Sequence, residues 1–300
     1  MTWTRRDFIR ASALAAAAGA LPFSAPLGAT HLRDFRLLRR NVGIFSQSGG
    51  TIGWLVNDEG IAVVDSQFPD SARAFLNGLE GRGGRRLDVL VNTHHHGDHT
   101  GGNAIFREET QQIVAHARAR ELHSETAGPE GDAGLADETF QEAWSLEVGN
   151  ERVHARHYGA AHTGGDCTVH FERADVVHMG DLVFNRAYPF IDRVGGASVQ
   201  GWVDLIDTVV AQHSADTLFV FGHARPGFEV IGSREDLRVQ GDFLGALLEL
   251  AEAAVQDGRS REEVMATASI PGFPDHRALN ERLNAGAALA VAFDEVTGAA

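Results

Sequence analysis

The sequence predicts an α/β protein, a four-layer αββα sandwich built from two similar halves. Three observations carry that expectation. Apolar, β-rich runs come in pairs around turn residues. Each pair is followed by a helical stretch and a further apolar strand. In both halves the second strand ends in aspartate and the third in histidine. The halves share this order more than they share residues, and the repetition reads as an internal duplication. With 300 residues and 43% hydrophobic content, the chain can bury one sizeable core.

In the first half, residues 51–56 and 61–64 flank the turn Asn57-Asp58-Glu59-Gly60, and the second run ends at Asp65. A helix near residues 70–79 follows. The buried-strand pattern of residues 87–91 then delivers the chain to a histidine cluster. In the second half, residues 168–171 and 176–179 flank Glu172-Arg173-Ala174-Asp175 and lead to Asp181. A helix over residues 200–213 precedes the strand 217–221, which ends at Gly222-His223. Two such halves face to face give two mixed sheets with helices outside, and sites collect where strands end in loops. Residues 233–257 are helical by the spacing of Leu237, Phe243, Leu244, Leu247, Leu248 and Ala251, and Ser260 with Glu263 spells a capping box. Residues 124–138 read as a mobile surface loop, and residues 185–198 as an ordered loop carrying aromatic side chains. The expected organisation is a signal segment over residues 1–29, a main domain over 40–232, and a helical extension over 233–300 packed on that domain.

The N-terminus has a basic start, an alanine-rich run over residues 11–21 and then small residues, the plan of a secretory signal. Within it, TRRDFIR resembles the twin-arginine export signal, with Arg5 and Arg6 paired and Phe8 following. That resemblance implies recognition by the twin-arginine export machinery and a periplasmic destination after folding. The apolar run is too short to span a bilayer, so no stable membrane anchor is expected.

Composition removes several function classes. The formal net charge is -15, and all 26 basic residues are arginine. Without lysine, Schiff-base chemistry is excluded. An acidic chain with no basic stripe argues against nucleic acid as a partner. Cys167 is the single cysteine, so a metal here must use histidine and carboxylate.

Residues 91–103 read VNTHHHGDHTGGN. If the strand alternation continues past Val91, His94 and His96 face one side and His95 the other. Gly97 permits a turn that brings Asp98 and His99 back to the same point. His162 in AHTGGD, Asp181 in HMGDLVF and His223 in FVFGHARPG occupy further strand ends. Five histidines and two carboxylates suit two zinc ions, with iron or manganese as alternatives. His94, His96 and His162 would hold the first ion, Asp98, His99 and His223 the second, and Asp181 would bridge.

The run His94-x-His96-x-Asp98-His99, followed by His162, Asp181 and His223, resembles the metal motifs of the metallo-β-lactamase-fold hydrolase superfamily over about residues 40–230. The resemblance implies the αββα sandwich, a metal centre between the sheets, and a small-molecule substrate. Zinc ions sharing one water lower its pKa to about 7 and so provide a hydroxide nucleophile. Asp98, besides ligating, would orient that nucleophile and take its proton, and the bonds cleaved would be those of an ester, lactone, thioester or cyclic amide. The familiar zinc β-lactamases carry cysteine where this chain has Asp181, so it looks more like the glyoxalase II, lactonase and general-hydrolase branches. Cys167 reads as a small core residue. The alternatives are a β-lactamase, a persulfide dioxygenase with one iron on His94, His162 and Asp181, and a non-catalytic metal-binding protein.

The duplication pairs Asp65 with Asp181, and a hydrogen bond from Asp65 to a ligating imidazole is its expected role. Arg186, Arg193, Arg225 and Tyr188 are candidates to hold substrate. His116, His123, His154, His157, His170, His178 and His213 read as surface or hydrogen-bonded core histidines.

Overall fold

The computed structural model describes residues 34–126 and 131–299; the expected export signal lies outside the described residues. The chain forms two compact units, one running to Phe140 and taking in Leu146–Val153, the other made of Gln141–Ser145 and everything from His154 onward.

The first unit is built on β1 (Phe35–Arg39), β2 (Val42–Phe45), β3 (Ile52–Val56), β4 (Ile61–Val64), β5 (Val89–Asn92), β6 (Ile113–His116) and β7 (Glu138–Phe140), side by side in that order. Strands β1 to β4 pair antiparallel, and β4 to β7 pair parallel. The β3–β4 turn is closed by Asn57, whose side-chain oxygen accepts from the amides of Glu59 (3.0 Å) and Gly60 (2.8 Å). The parallel step from β4 to β5 needs a crossover, which α1 (Pro69–Gly78) supplies, with proline in its first turn. Its Ala72, Phe75 and Leu76 pack with Phe45, Ile61, Leu90 and Phe106 in the core of this unit.

Two short helices, α2 (Gly97–Thr100) and α3 (Asn103–Arg107), follow β5, and α4 (Ala117–Thr126) follows β6. The described part of the stretch expected as a mobile loop, residues 124–126 and 131–138, is more structured than that. Residues 124–126 finish α4, Leu135 and Ala136 are buried, and Glu138 opens β7. Asp137 anchors this segment by an ion pair with Arg107 and by accepting from the Ile113 amide at 2.8 Å.

The second sheet contains β8 (Ala143–Val148), β9 (Glu151–Arg156), β10 (Thr168–Phe171), β11 (Val176–His178), β13 (Leu218–Val220) and β15 (Ile231–Gly232), in the order β15-β13-β11-β10-β9-β8. A separate two-stranded ladder pairs β12 (Phe184–Asn185) with β14 (His223–Ala224). β10 and β11 form an antiparallel hairpin, and β11 pairs parallel with β13, which the chain reaches through α5 (Val199–Gln212). β3, β4, α1 and β5 follow the same plan in the first unit, as the duplication reading expects.

The C-terminal part is helical: α6 (Arg234–Gln256), α7 (Arg261–Met265) and α8 (Ala285–Thr297). Ser233 and Ser260 both close capping boxes, with Asp236 and Glu263 as the reciprocal residues. Trp202 and Ile206 of α5, Leu237, Phe243 and Leu247 of α6, and Leu289 of α8 share the core of the second unit. The C-terminal helices are thus structural members of this unit: α6 packs along α5, and α8 packs on α6 and α7. No helix among the described residues is long and apolar enough to cross a membrane.

Candidate metal centre

Regular pairing ends at Asn92, two residues before the histidine run begins at His94. Asn92 and Asn103 exchange side-chain hydrogen bonds at 2.8 and 3.2 Å, which ties the strand end to α3. His96 then caps the one-turn helix α2, its carbonyl accepting from the amides of His99 (2.9 Å) and Thr100 (3.0 Å). The expected tight turn after Gly97 is therefore this helix, and it carries Asp98 and His99 back toward the strand end.

The geometry gathers imidazoles. His94 Nε2 lies 3.0 Å from His96 Nδ1, and the ring centres of His94 and His99 are 4.3 Å apart. All three rings are buried. Asp98 stands beside them, 3.8 Å from His99 Nε2, with its side chain 23% exposed. His95 is also buried, with its ring 4.5 Å from that of His96. His94 and His96 come together as expected, but on a bend and not on a continued strand. The bend at residues 93–95 and helix α2 place His94 opposite His96.

Asp65 takes the role expected of it. It is fully buried, and its carboxylate meets the Thr93 amide (2.8 Å), the Thr93 hydroxyl (2.8 Å) and His99 Nδ1 (2.7 Å). An acceptor on Nδ1 makes that nitrogen the proton-bearing one and leaves Nε2 as the ligand atom. Gly50 makes room for the ring, because a Cβ there would lie 2.2 Å from His99 Cε1.

The second unit supplies its own donor set. His162 is held through Nδ1 by the Phe190 carbonyl at 2.8 Å, and its ring packs against Trp202. The turn after it is closed by Asp166, which accepts from the amide and hydroxyl of Thr163, each at 2.7 Å. His223 is placed by the β12–β14 ladder, and its ring stacks on Phe184 at 5.2 Å. Asp181 sits in a 3₁₀ turn after β11 and directs one oxygen to each histidine: Oδ2 is 3.6 Å from His162 Nε2, and Oδ1 is 3.3 Å from His223 Nε2. A carboxylate shared in this way has the form of a bridging ligand. A Cβ at Gly222 would come within 2.0 Å of Asp181 Oδ1, so the approach requires glycine.

The donor chemistry of these residues fits a divalent metal ion. Imidazole nitrogens and carboxylate oxygens brought together in a buried position are the ligands that zinc, iron and manganese accept. The described residues hold no thiolate alternative, since Cys167 is a buried core residue.

The candidates for gripping substrate fare differently. Tyr188 is buried against Phe243 and His276 and is a core residue. Arg186 pairs with Asp236 at 3.4 Å, Arg193 with Glu295 at 3.6 Å, and Arg225 donates to the Asp275 carbonyl. These guanidinium groups brace the second unit, and no substrate role is needed to account for them. The sequence reading also passed over His276, which stacks on Phe243 at 4.5 Å and 5°. Burial pushes its imidazole down to about 4, with the charge of Arg186 adding to the effect.

Comparison with known proteins agrees with this geometry. The O-demethylase subunit alpha for 2,4-dinitroanisole of Nocardioides sp. (strain JS1661) is 31% identical over 129 residues, 42% of this chain and 39% of that one. The hydroxyacylglutathione hydrolase of Rhodopseudomonas palustris is 27% identical over 173 residues, 58% of this chain and 50% of that one. The matches thus span half or less of these relatives' own length. Among solved structures, the metallo-beta-lactamase from Pontibacter korlensis has the same fold, with a TM-score of 0.61 at 18% identity, covering 70% of this chain and 98% of that one. The sequence profile of one family matches residues 47–238, a span that contains all seven donor residues, and the chain belongs to the Metallo-beta-lactamase superfamily.

Proposed function

We propose that the chain is a zinc-dependent hydrolase of small-molecule esters, lactones, thioesters or cyclic amides, with the two donor sets meeting in one binuclear centre. His94, His96 and His162 would hold one ion, Asp98, His99 and His223 the other, and Asp181 would be common to both. The observation that carries this reading is Asp181, whose two oxygens address different imidazoles. When bound, a pair of zinc ions polarises a carbonyl and acidifies water to a pKa of about 7. Asp98 is the partly exposed carboxylate of the first set and can accept a proton next to the reacting carbonyl. Asp65 and the Phe190 carbonyl fix the orientation of His99 and His162, so neither ring has to reorganise as charge develops.

The relative named as a hydroxyacylglutathione hydrolase favours acyl transfer to water. A relative named as a metallo-beta-lactamase type 2 favours a second reading, β-lactam hydrolysis. Against that reading stand the absence of lysine to grip an antibiotic carboxylate and Asp181 in the place of cysteine. The test is turnover by zinc-loaded enzyme of an aryl ester, a lactone, a thioester, 2,4-dinitroanisole, a penicillin, a cephalosporin and a carbapenem. At least one ester, lactone or thioester is expected to be cleaved efficiently, with weak β-lactam turnover. Efficient β-lactam cleavage beside inert esters would replace the proposal with the second reading. Two bound zinc ions with no turnover at all would leave a metal-binding protein.

Export is proposed on the TRRDFIR stretch. Changing Arg5 and Arg6 together to Lys is expected to retain the protein in the cytoplasm on fractionation. Undiminished periplasmic accumulation of the double variant would remove that proposal.

A further inference from the structure

Three of the histidines and carboxylates that look unrelated along the chain come together away from the donor sets described above. His170 stands on β10, Asp175 in the β10–β11 turn, and His213 at the C-terminal cap of α5. Their ligand atoms all lie within 4.8 Å of one another. His170 Nε2 is 3.9 Å from Asp175 Oδ1, and the two imidazole rings are 4.9 Å apart, edge to face at 84°. Asp175 precedes β11 and Asp181 follows it, so within the second unit this cluster is at the opposite end of the strand from the bridging carboxylate.

We propose that His170, Asp175 and His213 form a separate binding site for a zinc-class divalent cation. Two imidazole nitrogens and one carboxylate oxygen are an ordinary ligand set for such an ion, with water completing the sphere. Water has access, since the side chains of His170 and Asp175 are 22% and 37% exposed. The ligating atom itself is not solvated: His170 Nε2 is buried and has no hydrogen-bond partner. A buried acceptor left without a partner is destabilising, and a metal bond would satisfy it. Donors around a tetrahedral ion lie about 3.4 Å apart, so atoms now within 4.8 Å of one another have to close by about 1.4 Å at most, which side-chain rotations provide.

The three ligands are positioned from independent directions. Asp175 has φ of 54°, and its Oδ1 accepts from the Thr217 hydroxyl at 2.7 Å. His213 rests edge-on against Phe219 at 5.7 Å, and its carbonyl accepts from Arg234 at 2.9 Å. Burial, and then the charge of His213, holds the His170 imidazole down at about 4; burial also lowers His213. At neutral pH both rings offer lone pairs without first losing a proton. A cation here would tie the hairpin turn to the end of α5 and act as a staple within the unit, independent of hydrolysis.

Zinc binding to the full chain, measured by equilibrium dialysis and elemental analysis, tests this with two variants. Asp175→Asn removes the charge but keeps a side chain suited to the left-handed backbone and able to accept from Thr217. His213→Phe keeps the edge contact with Phe219 and removes the donor nitrogens. Wild type is expected to bind one zinc more per chain than either variant, and to gain melting temperature with zinc where the variants gain less. Hydrolytic turnover should be the same in all three. Equal zinc uptake by wild type and Asp175→Asn at every concentration into the millimolar range would overturn the proposal, whether or not His213→Phe folds.

Discussion

Asp98→Asn is expected to lower kcat by roughly a hundred- to ten-thousand-fold, the usual range for losing a positioned proton acceptor. The substitution is nearly isosteric, and the fold around it is held by backbone. The Gly50 amide donates to the Asp98 carbonyl at 3.0 Å, and α2 is closed by the His96 carbonyl. An amide oxygen can still ligate but cannot take up a proton at neutral pH. Measuring metal content together with kcat and its pH profile separates the two roles. Retained metal with lost turnover and a lost acidic limb assigns proton transfer to Asp98. Near-normal kcat with both metals bound would show that the acceptor lies elsewhere.

Asp65→Ala carries the second large effect, on stability and metal affinity together. The carboxylate is fully buried and meets three donors, all of which would be left in a site closed to water. Loss of such a network costs roughly 3 kcal/mol. Asp65 also has φ of 63°, where alanine is strained by about a further 1 kcal/mol and asparagine much less. With Nδ1 of His99 no longer fixed, zinc affinity should fall about 10- to 100-fold, the range for such supporting residues. Chemical denaturation and zinc competition against a chromophoric chelator measure the two losses, with Asp65→Asn expected to fall between wild type and Asp65→Ala. Unchanged zinc affinity in Asp65→Ala would show that His99 is oriented without this bond.

The sequence was most legible where a local pattern decided the structure. The hairpins around Asn57 and Glu172, the capped start of α7 and the Gly97 turn each follow from neighbouring residues. Of the expected donor residues, His94 comes just after β5, whereas Asp98 and His99 lie on helix α2 and Asp181 in a 3₁₀ turn. Elements that depend on distant partners were not legible. β12 and β14 are two residues long and exist only as each other's partner. α8 is rich in alanine and lacks a strong apolar stripe, so its capping by Asn284 and termination at Gly298 are clearer than its periodicity. β1 was passed over because a largely exposed strand such as FRLLR carries little alternation, and β2 because its buried run VGIF is only four residues long. His170 and His213 are 43 residues apart, and nothing in their own neighbourhoods announces the ring contact that the β11–β13 pairing allows.

Gly50 and Gly222 also bear on how this catalyst can change over generations. A methyl group at position 50 would meet the His99 ring at 2.2 Å, and one at position 222 would meet Asp181 Oδ1 at 2.0 Å. In the proposed centre, either change would displace a ligand, because the first atom a new side chain strikes belongs to a donor group. A random library of this gene therefore has two silent columns beside the reaction centre. Adaptation to a new substrate has to be recruited from positions whose side chains can grow without displacing a ligand.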